Sequence, residues 1–410
     1  VREVIHLRKR KEEDPTRHNK AFKYRIYPTT EQRIMLSKTF GCVRFIYNSE
    51  LYFGMETYEK TGKPNIMPYA RFKGEHEWLK EVDSLALANA QLNLESAYGK
   101  FLKEKEPTYS KKTKERAERT GKELTYYDYK WHPKFKRKNE GQSYTTNLVG
   151  NNIRILDGKL RVPKLGELKM KEHRSAPNDY VLKSVTISKT PTDKYYASIL
   201  YEYMREIAEV IPEAIIGMDF SMGNGYVDNE GNKTQYPKHY REQEGKLGRE
   251  QRKLSHMEKD GANYKKQNIK ISMIHEKIGN QRRDYLHKES RKIANFYDLV
   301  GVEDLNIQAM AQALKFGKTV HDMGWGMFRQ FLEYKMKDQG KHFIKIDKWY
   351  PSSKKCTKNK IFESLNDISK LSYDLSSAIS DAATGYCKGE MDLDALVSLI
   401  EQKIEIYSNE

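Results

Sequence analysis

Apolar residues run into a single acid at Ile215-Ile216-Gly217-Met218-Asp219, and a second short apolar piece, Tyr226-Val227-Asp228, follows a glycine-containing stretch. This pattern predicts a buried strand, a tight turn and a return strand. The signature recurs at Asp298-Leu299-Val300-Gly301-Val302-Glu303, again an apolar run ending in an acid, and residues 342–347 predict a third strand. Between the first pair and the second acid, residues 241–296 carry Leu254, Ile269, Ile271, Ile274, Ile278, Leu286 and Ile293 near helical spacing. A helix over 323–339 follows, with Trp325, Phe328, Phe331 and Tyr334 as its apolar face. Residues 213–355 therefore predict an α/β unit.

The first half reads differently. Residues 21–28 (AFKYRIYP) alternate bulky and basic positions, as a half-exposed strand does. Thr29-Thr30-Glu31-Gln32 then opens a helix, with threonine as N-cap and an acid in the first turn. Helical spacing through Met35, Leu36, Phe40, Cys42, Phe45 and Tyr47 predicts one helix ending at Asn48 and a second carrying Leu51, Phe53 and Tyr58. Residues 78–101 predict another helical pair. From 143 to 203 the pattern changes to short strands at 152–156, 159–162, 181–188 and 194–201, with turns at Asp157-Gly158 and Thr192-Asp193. An antiparallel β-barrel or sandwich, interrupted by a helical insertion after the first strand, accounts for this order.

Charge changes the picture. The 410 residues carry a net charge of +17, and the 28 tyrosines outnumber the 14 phenylalanines. Lys and Arg neutralise phosphates and Tyr stacks on bases, so the balance points to a nucleic-acid partner. No apolar run approaches the ~18 residues of a membrane span, and the charged start, residues 1–20, reads as a mobile extension without a signal peptide. Three cysteines, Cys42, Cys356 and Cys387, suit a reducing compartment; a bacterial cytoplasmic, nucleoid-associated location is expected. Basic and aromatic residues interleave from 103 to 138, where Tyr127, Lys134, Lys136, Arg137 and Lys138 are candidate RNA contacts; the plainer reading is a solvated linker. Arg249, Arg252, Lys253, Arg282 and Arg283 lie on the basic helical stretch, as phosphate contacts or as a solvated face.

Asp219 and Glu303 both end apolar strands, where functional groups of α/β sheets gather. Two carboxylates there suit a pair of Mg²⁺ ions acting on a phosphodiester; either acid alone reads first as a structural ion pair. A third acid is needed, and Asp347, Asp374 and Asp381 are the candidates.

These pieces resemble one family. Phe22–Pro28 (FKYRIYP), Gly41–Asn48 (GCVRFIYN), Gln142–Asn147 (QSYTTN), Pro163-Lys164-Leu165-Gly166, Gly217–Ser221 (GMDFS), Val302–Asn306 (VEDLN), Trp325–Phe328 (WGMF) and Lys348–Lys354 (KWYPSSK) occur in the order and spacing of TnpB. TnpB is the RNA-guided nuclease of bacterial insertion sequences, related to type V CRISPR effectors. The resemblance implies an α/β multidomain protein: a wedge β-barrel (21–30 and 105–212), a helical recognition insert (31–104) and an RNase H-like RuvC domain (213–389), with a C-terminal helix at 390–410. It implies a guide RNA, a target double-stranded DNA found beside a short flanking motif, and Asp219 and Glu303 as the first two catalytic acids and Mg²⁺ ligands. Arg44, Tyr47, Asn48 and Tyr144 fall in matching motifs and join the nucleic-acid candidates.

The resemblance breaks at Cys356. The family continues with a four-cysteine zinc knuckle; here Cys356 precedes Thr357-Lys358-Asn359, so 356–373 is a degenerate knuckle and zinc is not expected. Asp374-Leu375-Ser376-Ser377-Ala378-Ile379-Ser380 reads as an altered third-acid segment, or as unrelated sequence in which Asp374 caps a helix. On this basis the sequence favours a guided DNA-binding protein with lost or weakened cleavage, acting as a transcription repressor. The alternative is an active Mg²⁺-dependent endonuclease.

Overall fold

The computed structural model describes residues 14, 16–103, 108–221, 224–259, 261–305 and 323–346. The chain divides into two compact units, 1–206 and 207–410.

The first unit opens with β1 (Arg17–Tyr27), whose Phe22, Tyr24 and Ile26 point into the core while Lys23 and Tyr27 stay outside. The strand begins four residues before the expected start, because residues 17–20 pair with β7 and Arg17 meets Glu202 at 3.0 Å. Next comes α1 (Thr30–Thr61), capped by a reciprocal pair: Thr29 Oγ1 accepts from Gln32 N–H while Gln32 Oε1 accepts from Thr29 N–H. Such a box contributes about 1 kcal/mol. The helix is continuous where two were expected. Asn48 does not end it, because its side chain bonds a distant segment instead of the local backbone; Gly62, with φ 69°, does.

α2 (Tyr69–Glu75), a 3₁₀ turn (Glu77–Lys80) and α3 (Ser84–Phe101) follow, the last capped by Asp83. A short solvated helix that the sequence reading missed, α4 (Lys111–Thr120), buries no residue and is held by caps at Ser110 and Gly121. Six strands complete the unit: β2 (Gln142–Asn147), β3 (Arg154–Leu156), β4 (Lys159–Val162), β5 (Gly166–Lys171), β6 (Val181–Lys189) and β7 (Tyr195–Met204). Together with β1 they form one sheet in the order β2-β6-β7-β1-β5-β4-β3, every neighbouring pair antiparallel. Asp157 and Gly158 both have left-handed backbone (φ 49° and 69°), which matches the twist of the β3–β4 hairpin. Helices α1 and α3 pack on the sheet: Leu36, Phe40, Leu87 and Leu94 share a core with Tyr144, Val185 and Ile199.

In the second unit, β8 (Ile215–Ser221) and β9 (Gly225–Asp228) form the predicted hairpin. The basic stretch is two helices, α5 (His239–Ser255) and α6 (Ala262–Phe296). α5 folds back so that Leu247 packs on Ile271, Ile274 and Ile278. Then come β10 (Leu299–Glu303), α7 (Trp325–Lys337) and β11 (His342–Ile346). The sheet order among the described residues is β11-β10-β8-β9, with β10 parallel to both neighbours and β9 antiparallel to β8. One sheet face, Ile216, Met218, Phe220, Val300 and Val302, is covered by Ile293 of α6 and Phe328 and Leu332 of α7. Gly340 has φ 69°, and a Cβ there would stand 2.0 Å from the Ala208 carbonyl oxygen, so only glycine fits.

Candidate active site and nucleic-acid interface

The parallel register aligns the two acids. Leu299 to Val302 pair with Ile215 to Met218, so Glu303 and Asp219 are the next residue on each strand. Adjacent strands lie ~4.8 Å apart and register partners share a face. Met218 and Val302 face the helices; alternation therefore turns both acids to the opposite face, where Gly217 and Gly301, themselves register partners, add no side chain beneath them. Both acids are half-buried. Among the described residues none donates a hydrogen bond to the Asp219 carboxylate or pairs with it as a cation. Carboxylate oxygens on neighbouring strands fit a hard divalent cation such as Mg²⁺. The described residues contain no group of three acids, histidines or cysteines able to hold a metal. Asp347, Asp374, Asp381, Cys356 and Cys387 lie outside the described residues.

The end of β10 is held from two directions. Glu303 pairs with Ile346, and Asp304 N–H donates to the Ile346 carbonyl at 2.8 Å. From α7, Arg329 Nη1 donates to the Glu303 carbonyl at 3.2 Å and to Asp304 Oδ1 at 2.6 Å. α7 is itself anchored by Lys335, 2% exposed, whose Nζ donates to the His287 carbonyl and Ser290 Oγ, each at 2.7 Å. Burial, with Arg291 nearby, pushes this lysine down to about 8.

The predicted nucleic-acid residues separate into two groups. Tyr144 is 3% exposed and packs on Phe40, and burial pushes its phenol up; its place in the structure is the core. Asn48 Nδ2 donates to the Lys136 carbonyl (3.0 Å), while Lys136 N–H donates to Asn48 Oδ1 (2.8 Å). Lys136 Nζ lies 3.9 Å from the centre of the buried Tyr47 ring, a cation–π contact. These three residues staple the 132–138 segment to α1. Tyr127 is half-buried, its hydroxyl donating to Glu59 at 3.2 Å and its carbonyl accepting from Lys134. Arg44 is half-buried on α1. Arg137 and Lys138 are exposed, as are Arg249, Arg252, Lys253 and Arg283, although Lys253 pairs with Glu250 at 3.0 Å. Arg282 lays its methylenes beside Gly324. The exposed aromatic rings of the 126–138 segment are Trp131 and Phe135.

A basic sheet face escaped the sequence reading. Across the register, Arg25 stands beside Lys171 and Tyr196, Tyr27 beside Lys169, and Lys169 beside Lys159. Lys23 Nζ and the Arg25 guanidinium lie 4.5 and 5.2 Å from the Tyr196 ring centre. Residues 21–28 show the alternation, but which lysines of β4 and β5 join that row depends on strand pairing.

Comparison with known proteins completes the description. Residues 198–314 match the OrfB_IS605 family, described as a probable transposase, and residues 325–380 match a Cas12f1-like TNB domain. Residues 18–63 match a helix-turn-helix domain of the same OrfB_IS605 group; here they form most of β1 and the single helix α1. A putative RNA-guided DNA endonuclease of Streptomyces pristinaespiralis is 30% identical over 349 residues, covering 82% of this chain and 79% of its own length. The chain belongs to the TnpB family. A second relative, the putative RNA-guided DNA endonuclease InsQ of Escherichia coli K12, is 25% identical over 364 residues, 82% of each chain. A solved Cas12f1–sgRNA–target DNA complex superposes with a TM-score of 0.48 at 11% identity, covering 81% of this chain and 90% of that one. No helix among the described residues is long and apolar enough to cross a membrane.

Proposed function

We propose that this TnpB-family chain is a guide-RNA-directed protein that recognises double-stranded DNA beside a short flanking motif and cleaves it at a Mg²⁺-dependent RuvC-type site. The observation that carries the reading is the register that puts Asp219 and Glu303 side by side on one sheet face. The names of its relatives support the guided chemistry. Asp219 and Glu303 would hold Mg²⁺, which when bound stabilises the attacking and leaving oxygens of a phosphodiester. Their two strands present the carboxylates pre-aligned, so little reorganisation accompanies ion binding. In this reading the seven-stranded sheet is the wedge, α1 to α3 the recognition insert, and the β11-β10-β8-β9 sheet the RNase H-like core. The basic sheet face, Lys23, Arg25, Lys169 and Lys171, together with Trp131, Phe135, Arg137 and Lys138, would track RNA phosphates and stack bases.

A second reading, target occupancy without cutting and hence transcription repression, is favoured by one sequence observation. Cys356 lacks its knuckle partner, and Asp374 stands in an altered segment. Losing any ligand that positions an ion can abolish two-metal catalysis. The test incubates the purified protein–RNA complex with Mg²⁺ and a matched duplex. Guide-dependent cuts that disappear in Asp219→Asn are the expected result. A guide-dependent gel shift without cuts would replace cleavage by occupancy. Absence of both a shift and a co-purifying RNA would overturn both readings.

A further inference from the structure

We propose that Arg329 is a positioning residue for the metal site, acting through the Glu303 backbone. The proposal rests on the reading of Asp219 and Glu303 as metal ligands. The hydrogen-bonded ladder between β8 and β10 ends at Met218 and Val302, one residue short of both acids. Glu303 is tied to β11 on its other side, and a further tie on this strand end comes from the helix layer. A single nitrogen of Arg329 bridges the Glu303 carbonyl and the Asp304 carboxylate. The first is the oxygen of the 303–304 peptide itself and the second the side chain of the residue that follows it, so the bridge holds the plane of that peptide and with it ψ of Glu303.

The bridge is more than a surface ion pair. Asp304 is 58% exposed, and an exposed pair of this kind contributes at most about 1 kcal/mol. The Arg329 side chain is only 16% exposed, however. It springs from a helix whose Phe328 and Leu332 are buried in the core and whose Lys335 is bonded to α6. A guanidinium on so fixed a base transmits the position of α7 to the strand end. Groups that orient a ligand from outside the coordination sphere commonly change metal affinity by 10- to 100-fold when removed.

The sign of the effect separates positioning from charge. A cation acting directly on a metal site repels the metal, so its removal would tighten binding. A positioning residue does the opposite. The experiment titrates Mn²⁺ into the RNA-free full-length chain, reading free Mn²⁺ by electron paramagnetic resonance, with thermal melting in parallel. Arg329→Met is expected to weaken Mn²⁺ binding roughly tenfold and to alter the bound-ion line shape. Asp304→Asn, which spares the core should Arg329→Met fail to fold, is expected to weaken it by a smaller factor. Unchanged or tighter binding in the folded variants overturns the proposal. Asp219→Ala is the control: if it binds Mn²⁺ like the unaltered chain, the metal reading falls and takes this proposal with it. If Asp219→Ala loses the ion and Arg329→Met does not, only the role of Arg329 falls.

Discussion

Glu50 has no exposed surface, and neither carboxylate oxygen has a hydrogen-bond partner among the described residues. The Tyr98 hydroxyl and His132 Nε2 are likewise buried without partners. Burial, with Glu95 nearby, raises Glu50 from 4.5 to about 9, so it is held neutral at pH 7. A buried unsatisfied polar group costs about 1–3 kcal/mol, and keeping an acid protonated above its ordinary range adds to this. Glu50→Met, similar in length and without the carboxyl, is expected to raise stability by at least ~1 kcal/mol at pH 7. The sign with pH follows from proton uptake. Between 4.5 and about 9 the unfolded chain ionises this group while the folded chain does not, so stability falls as pH rises. Chemical unfolding from pH 5 to 9 checks this: the advantage of Glu50→Met should grow with pH, and a constant difference would refute it. His132 acts at the other end. Burial lowers it to about 4, so it draws stability down as pH falls below 6.5. None of this was legible in the sequence, where Glu50 is an ordinary polar residue on a helix; only tertiary packing shuts out water.

At the scale of elements, the length of α1 and the path of residues 132–138 are one problem. The sequence pattern reads Asn48 as a helix end, and its place in the GCVRFIYN motif makes it a nucleic-acid candidate. The structure uses its amide to satisfy both backbone groups of Lys136, and the helix runs on to Thr61. Asn48→Ala removes both bonds and is expected to destabilise the first unit by about 1–3 kcal/mol. It should also release the basic segment. Limited trypsin digestion is then expected to cut after Lys136, Arg137 or Lys138 several-fold faster, with Asn48→Asp intermediate because it can accept but not donate. Equal cleavage rates in all three proteins would show that the staple does not hold the segment. Strand identities, by contrast, were readable wherever alternation and turn chemistry agreed, as at β4 and the Asp157-Gly158 turn. β5 was missed because only Leu168 and Met170 mark its inner face.

For the whole molecule, a net charge of +17 suits a polyanionic partner without saying where one would lie. The sheet face supplies a place. Its rows of Lys159, Lys169, Lys171 and Arg25 arise from the consecutive strands β4 and β5 and from β1, which lies more than 130 residues before them. Each phosphate contact adds roughly 0.7–0.9 to the slope of log affinity against log salt. Combining Lys169→Ala and Lys171→Ala is therefore expected to weaken binding of the co-purifying RNA and to reduce that slope by about 1–2, measured by fluorescence anisotropy between about 50 and 300 mM salt. An unchanged slope would remove the sheet face from the RNA interface.

Asp219 and Glu303 stand out in the sequence because an apolar run that meets an acid is a local pattern needing no knowledge of its neighbours, although β8 runs on past Asp219 to Ser221. Their family was legible too, through short motifs whose order the chain preserves. What only the tertiary structure decided is relational. The parallel register of β8 and β10 makes the acids neighbours, and the staple at Asn48 turns a presumed contact into scaffold. Arg329 reaches the strand end across 26 residues of chain. Hydrophobic periodicity reports which face of an element is buried, but pairing and burial depend on residues far away in sequence. For the same reason, the charge of an unfolded list of lysines becomes a surface only after the strands have chosen their partners.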